Sequence, residues 1–388
     1  AREGGAVTRS RVTVVAAAVA VAGVAGFALE GFRDPRHALV AWTSAYGFGL
    51  GTALGALVLA MVFYVTGARW PLVLAPRIMA TATTLPVFVP LFIPIAIGIR
   101  WIYPWAHEAP RVDESLRGAL EHQRSWNETK FFLLRAAVYL VTWSALAVLL
   151  GHAYRAHVRA PSAETTRRQR RISAAGLPII GVTGTFASFD WFMSVEPGWE
   201  SNMYGVYVLV GGFMSAVSLV AVAEWMAPKE ERDAVLPAHF HALGRLMLMS
   251  VILWAYVGFF QIMLPWIADL PREATFFLAR SRGSFAVLAA VLLIGHFVLP
   301  FLLLLSRPLK RRGALLALVG AWLVTMNAID FVWLVLPAAP GGLRLLDVAP
   351  FLAVSGTALA YGVHRLGVER GRPSRDPRFA ESLRYRSP

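Results

Sequence analysis

Apolar residues along this chain come in ten blocks, each closed by a short polar or basic stretch. A helix rises 1.5 Å per residue, so about 20 residues cross a hydrocarbon core. The pattern predicts an all-α polytopic membrane protein with spans at residues 12–29, 39–66, 72–99, 130–151, 173–193, 202–225, 243–267, 284–305, 314–336 and 349–366. The ten-residue alternating segments of a transmembrane β-barrel do not occur. Residues 12–29 alone could pass for a secretory signal, but further spans follow at once, so they read as a retained first helix. Residues 103–128 form the longest polar connection, with a short amphipathic helix expected near residues 113–123. Residues 367–388 form a polar, basic tail expected to lie on the surface or on a partner.

Two spans carry a periodic signal of their own. Gly47, Gly51 and Gly55 recur every four residues on one helix face, a small-residue seam that lets a second helix approach closely. Pro86, Pro90 and Pro94 recur at the same spacing in the third span. They predict a broken helix, which a membrane tolerates only against other helices or a wet cavity. Arg77, in that span's first turn, is expected to snorkel to the interface.

Composition fits a membrane body: 57% of residues are hydrophobic and 15% charged, at a mean hydropathy of +0.57. Soluble domains carry about 25% charged residues. The net charge of +14 sits in loops rather than in a basic groove with interleaved aromatics, so it points to an anionic lipid surface and no nucleic acid. Of the lysines and arginines, 25 fall on the side of the termini, 11 opposite and one, Arg135, inside a span. The positive-inside rule therefore places both termini in the cytoplasm. Cysteine is absent, which excludes disulfides, covalently attached haem c and thiolate-held iron–sulfur clusters on this chain. Neither a zincin-type metal spacing nor a phosphate-cradling glycine loop is present.

Residues 188–200 (SFDWFMSVEPGWE) stand out at the outer end of the fifth span. They carry Asp190, Glu196 and Glu200, two tryptophans expected at headgroup depth, and no basic residue. Ionisable groups within or bordering spans are Arg135, Asp190, Glu224, Arg245, His296 and Asp330. Glu224 and Arg245 are expected to reach water. By helical rise, Arg135, Asp190 and Asp330 lie about 7, 5 and 9 Å from the outer ends of their spans. An orphan charge at such depth costs several kcal/mol. Arg135 is therefore expected to pair with Asp190 or Asp330 within about 5 Å. The remaining acid would exchange protons with the outer face through a polar crevice near Trp191 and Glu196. A membrane b-type haem needs two facing axial ligands, usually histidines, and only His296 lies well inside a span. It reads as a hydrogen-bonded packing residue, with the other eight histidines in loops, at ends or on the basic surface. The candidate proton-path or ligand-proximal residues are Arg135, Asp190, Glu196, Asp330 and His296, with no catalytic residue and no metal ligand among them.

Several blocks together resemble a known family. Residues 181–212 (GVTGTFASFDWFMSVEPGWESNMYGVYVLVGG) look like the central segment of the F subunit of alternative complex III, a relative of the NrfD/PsrC quinone-associated membrane proteins. Residues 239–277 (HFHALGRLMLMSVILWAYVGFFQIMLPWIADLPREATFF), 299–311 (LPFLLLLSRPLKR), 376–383 (DPRFAESL) and 126–143, including Arg135, agree. The likeness is dense from about residue 170 onward. One departure is the stretch Arg77-Ile78-Met79-Ala80, where relatives are expected to carry an acid at the position of Ala80.

The resemblance implies two packed bundles in a cytoplasmic (inner) membrane, within a quinol:cytochrome c oxidoreductase. It implies partners in a sister NrfD-like subunit, an iron–sulfur subunit, cytochrome c subunits and a terminal oxidase, besides membrane lipids. Haem c and iron–sulfur clusters would sit in those partners and the better-defined quinol site in the sister subunit, with quinone or menaquinone as the cofactor this chain could meet. This chain would then support quinol oxidation and proton translocation without redox centres of its own. The rivals are a secondary transporter, which would favour repeats and discontinuous helices around a midplane site, and a purely structural scaffold of the complex.

Overall fold

The structure, a computed structural model, describes residues 2–106, 126–196, 198–269, 271–369 and 371–387. The amphipathic helix expected at 113–123, with His107 and His122, lies outside them. Among the described residues there is no strand, and ten helices are long and apolar enough to cross a membrane. They are α1 (Ser10–Arg33), α2 (Pro35–Thr66), α3 (Ala75–Ile97), α4 (Thr129–Arg159), α5 (Ala163–Val195), α6 (Tyr204–Trp225), α7 (Pro237–Ile267), α8 (Gly283–Leu305), α9 (Gly313–Ala338) and α10 (Leu345–Val368). The chain is a multi-pass helical membrane protein.

Contacts sort the helices into two four-helix bundles, α2 to α5 and α6 to α9, with α1 and α10 paired against α2 and α3. The bundles meet where α2 packs on α6 and α9. The glycine seam makes that contact: a Cβ on Gly55 would lie 2.3 Å from the Gly212 carbonyl oxygen, and one on Gly212 would lie 2.3 Å from that of Gly51. Backbone meets backbone there, which only glycine permits.

The α3 prolines act as expected. The span is broken into Ala75–Ala82, Leu85–Val87, Phe88–Leu91 and Ile93–Ile97. Side chains from α2 bond carbonyls in the broken stretch, with Trp42 Nε1 donating to Leu91 O at 3.0 Å and Tyr46 Oη to Phe88 O at 3.2 Å. This keeps irregular backbone from facing lipid unsatisfied.

Two expectations at the face carrying the termini are overturned. Arg77 does not snorkel: it is buried and donates to Ala223 O at 3.2 Å and to Glu231 at 2.7 Å, with Glu224 3.0 Å away. Glu224, expected in water, is fully buried, because α3 covers that end of α6. The tail lies on the chain's own face. Ser382 Oγ donates to Trp70 O and accepts from Val73 N, Tyr385 stacks on Trp70, and His241 Nδ1 meets Ser387 Oγ at 2.6 Å. His239 and His241 are correspondingly buried under the tail. Likewise His37, expected at a helix end, is buried at 2.7 Å from Asp347.

Asp376 anchors the tail. Burial alone would raise its carboxyl, but hydrogen bonds from Arg378 and His157 outweigh this and bring it down to about 2. A depressed folded-state carboxyl contributes stability above its unfolded value of about 3.9, and that contribution is lost as pH falls through the folded value. The tail should therefore release between about pH 4 and pH 2. Because the chain has no cysteine, a fluorophore on Ser374→Cys reports this cleanly. Its anisotropy should drop over that window, and an unchanged transition in the Asp376→Asn background would refute the assignment.

Candidate functional site

The C-terminal end of α5 and the start of α4 bring the expected pair together. Arg135 donates from Nε to Asp190 Oδ2 and from Nη2 to Asp190 Oδ1, both at 2.8 Å, and from Nη1 to Trp126 O at 2.7 Å. Asp190 also accepts from Trp126 Nε1 at 2.8 Å and Tyr139 Oη at 3.0 Å. The guanidinium lies 4.2 Å from the Trp126 ring and 4.4 Å from that of Phe131. Both charges are thus paired, forked and nearly excluded from solvent. Such a closed cluster fixes two helices and leaves no lone pair idle.

Asp330 on α9 is the remaining acid, and it is built differently. Tyr207 Oη of α6 donates to its Oδ1 at 2.8 Å and Trp254 Nε1 of α7 to its Oδ2 at 3.0 Å. The His296 ring of α8 packs on Trp254 at 4.1 Å between centroids. Each helix of the second bundle thus contributes one residue. Both acids take a tryptophan N–H and a tyrosine O–H, but only Asp190 has a cation among the described residues.

Three sequence expectations fail here. Asp330 is 2% exposed, so it does not open directly to the outer face; the second bundle closes around it. His296 is fully buried, and neither ring nitrogen has a hydrogen-bond partner among the described residues, so it does not pack as the hydrogen-bonded residue expected. It sits in a π-helical stretch, Leu292–Val298, a widening that often marks functional positions. The crevice expected near Trp191 and Glu196 is a cavity of 170 Å³ bounded by Asp190, Trp126, Asn127, Ser194 and Trp199. Trp191 is instead turned into the aromatic core of the first bundle, and Trp199 stacks on Phe276 at 3.8 Å. Both tryptophans are thus buried against other rings of the protein.

Glu196 is bound by a residue the sequence reading missed. Arg280 donates to both Glu196 oxygens at 2.8 and 3.0 Å, and to the carbonyls of Phe276, Trp333 and Leu334. Arg280 is 1% exposed. The missed signal was an arginine flanked by Phe276, Phe277 and Leu278 in an otherwise short connection.

The structure also reveals a polar line between α6 and α9. Tyr207, Gly211, Ser215 and Ser218 follow at spacings of four, four and three, so they share one face of α6. Ser215, Ser218 and Asn327 are fully buried, and no hydrogen-bond partner for their side chains is found among the described residues. Asn327 lies one turn from Asp330 and abuts Gly211, where a Cβ would meet its Oδ1 at 2.6 Å. Glu224 lies about 9 Å beyond Ser218 along α6. Buried polar atoms without protein partners are the usual seats of ordered water. Glu224 is turned toward Arg77 of α3 rather than along that face, and from Tyr207 to Glu224 the polar residues of α6 span about 26 Å, close to the thickness of a hydrocarbon core.

Among the described residues no three His, Asp and Glu side chains converge as metal ligands would. In comparisons with known proteins, no family model matches the chain and no curated protein is found similar to it.

Proposed function

We propose that the chain is a membrane subunit of a quinol:cytochrome c oxidoreductase of the alternative complex III type, and that its second bundle carries protons. The observation that carries the proton role is the set of buried Ser218, Ser215 and Asn327 side chains, without hydrogen-bond partners among the described residues, lying between two buried carboxylates, Glu224 and Asp330. A structural scaffold gains nothing from it, since each unsatisfied group costs about 1–3 kcal/mol. Carboxyls at the two ends and hydroxyl and amide groups between them are the parts a proton relay needs. Asp330, held by two neutral donors, is the group suited to exchange a proton; Asp190, locked to Arg135, is suited to hold the first bundle together. The quinol-oxidising context rests on the sequence resemblance, which also supports the inner membrane and haem c and iron–sulfur partners, while the distribution of Lys and Arg supports cytoplasmic termini.

The test uses the assembled complex in sealed vesicles with a pH-indicating dye. Asp330→Asn and Glu224→Gln should each lower proton movement per quinol oxidised at least tenfold while the complex still assembles. An unchanged proton yield in both variants would sink the assignment.

A secondary transporter is the second reading. It draws support from the two bundles of four helices, each holding a carboxylate with a Trp N–H and a Tyr O–H on its last helix, since many transporters are built from repeats. Isolation from native membranes separates the two. Co-purifying multihaem and iron–sulfur subunits favour the oxidoreductase, and a lone oligomer favours transport.

A further inference from the structure

Where α4 ends and α5 begins, a groove of 490 Å³ is walled by Val148, Leu149, His152, Arg155 and Arg159 of α4 and by Arg168 of α5. No acid is among its described lining residues. Val148, His152, Arg155 and Arg159 follow at spacings of four, three and four, so they form one stripe along α4. The stripe continues into the span at the same spacings through Ala145, Val141, Val138 and Leu134, all of them exposed. From Leu134 to Val148 this face is apolar and would meet lipid over about 21 Å, and its next two turns are basic. The side chains of His152, Arg159 and Arg168 are exposed and have no hydrogen bond or ion pair among the described residues. Arg155 is tethered from behind by Glu369, a fully buried acid that Arg365 also bonds at 2.7 Å. Arg375 of the tail donates to the Arg159 carbonyl at 3.4 Å and adds a further exposed cation to the rim.

We infer that this groove is a site for the headgroup of one anionic phospholipid, with an acyl chain laid along the apolar stripe of α4. Basic loops in general are drawn to an anionic leaflet without a defined partner. Here unpaired cations stand directly at the head of a lipid-exposed stripe, in the order headgroup and chain of a phospholipid require. The stripe is longer than the roughly 15 Å half-thickness of a hydrocarbon core, so a chain meets apolar surface throughout its leaflet. Arginine donates to a phosphodiester through a planar fork, and three guanidinium groups line this one groove. A zwitterionic lipid would bring its ammonium into the same cluster of cations. An acidic peptide would lay its backbone beside Val148 and Leu149, where lipid leaves N–H and C=O groups unsatisfied. Free phosphate would engage only the basic end. The site lies apart from Asp330 and the α6 to α9 line, and it does not rest on the proposed function.

The experiment uses the full chain in mild detergent, titrated with an equimolar mixture of dioleoylphosphatidylglycerol and dioleoylphosphatidylcholine and read by native mass spectrometry. One phosphatidylglycerol should be retained saturably, with at least a tenfold preference over phosphatidylcholine. Arg159→Gln combined with Arg168→Gln should lower that retention at least tenfold. Arg167→Gln combined with Arg171→Gln removes the same charge from exposed positions of α5 outside the groove and should leave retention unchanged. Equal losses in the two double variants would overturn the site in favour of diffuse surface charge, and no loss in either would overturn it outright. Equal retention of both lipids by the wild type, or no saturable retention of phosphatidylglycerol, would do the same. Full competition by glycerophosphoglycerol, the same headgroup without chains, would mark a plain phosphate site and overturn the lipid assignment. The wild-type preference and the competition decide the matter even if a variant fails to fold.

Discussion

Replacing Arg135 by alanine should destabilise the protein by about 3–5 kcal/mol, the usual cost of leaving one partner of a buried ion pair without the other. Asp190 would keep only Trp126 Nε1 and Tyr139 Oη for a charge now held in a low-dielectric interior. Trp126 O would lose its donor as well. Asp190→Asn carries the mirror-image penalty by stranding the guanidinium, so it should act on assembly before it acts on any proton step. Arg135→Lys should recover only part of the loss, because an ammonium cannot span both carboxylate oxygens and the Trp126 carbonyl with a planar fork. The double change Arg135→Leu with Asp190→Leu should recover more than Lys does, since both charges leave together. Thermal unfolding in mild detergent, followed by fluorescence-detected size exclusion, provides the measurement. An Arg135→Ala protein melting with the wild type would show that the pair contributes nothing to the fold.

The second large effect belongs to the glycine seam. A side chain on Gly55 or Gly212 meets backbone 2.3 Å away, and backbone on both sides leaves nothing flexible to yield. Gly55→Leu and Gly212→Leu should separate the bundles, at or beyond the upper end of the roughly 1–3 kcal/mol typical of overpacking. Gly51→Ala provides the internal control. A Cβ there lies 3.6 Å from Gly212 Cα, an ordinary contact, so it should fold and purify normally although it belongs to the same sequence repeat. Equal losses at Gly51 and Gly55 would mean that helix propensity, rather than the close approach of α2 to α6, is what the seam provides.

That contrast marks how far sequence patterns reach. Spacing by four puts Gly47, Gly51 and Gly55 on one face and thereby announces a close contact. It does not say which helix arrives, or that Gly212 of α6 interlocks between Gly51 and Gly55 rather than opposite Gly47. The pairing of Arg135 was legible for a similar reason. An arginine and two acids at similar depth form a small set, and the cost of an orphan charge forces a match within it. Choosing Asp190 over Asp330 was beyond the pattern, because it depends on the rotation of α4 against α5.

Glu224, His239 and His241 were misjudged for a common physical cause. Depth along a span estimates distance from water only while nothing covers the helix end. Here α3 and Arg77 cover Glu224, and the tail covers His239 and His241.

The sequence by itself determined what one-dimensional spacing can encode. This comprises ten apolar spans, a proline-broken third helix, a glycine seam, and a small set of ionisable residues too deep to stand alone. Those features follow from helical rise, from the cost of burying charge, and from the backbone properties of glycine and proline, all local to the chain. The tertiary structure decided everything that needs two helices at a known rotation. It set Tyr207 and Trp254 on Asp330 and gave Glu196 to Arg280. It aligned Ser215, Ser218 and Asn327 between α6 and α9. These contacts join residues far apart in sequence, and a helix presents a different residue every 100° of turn, so only the packed bundles fix which side chains meet.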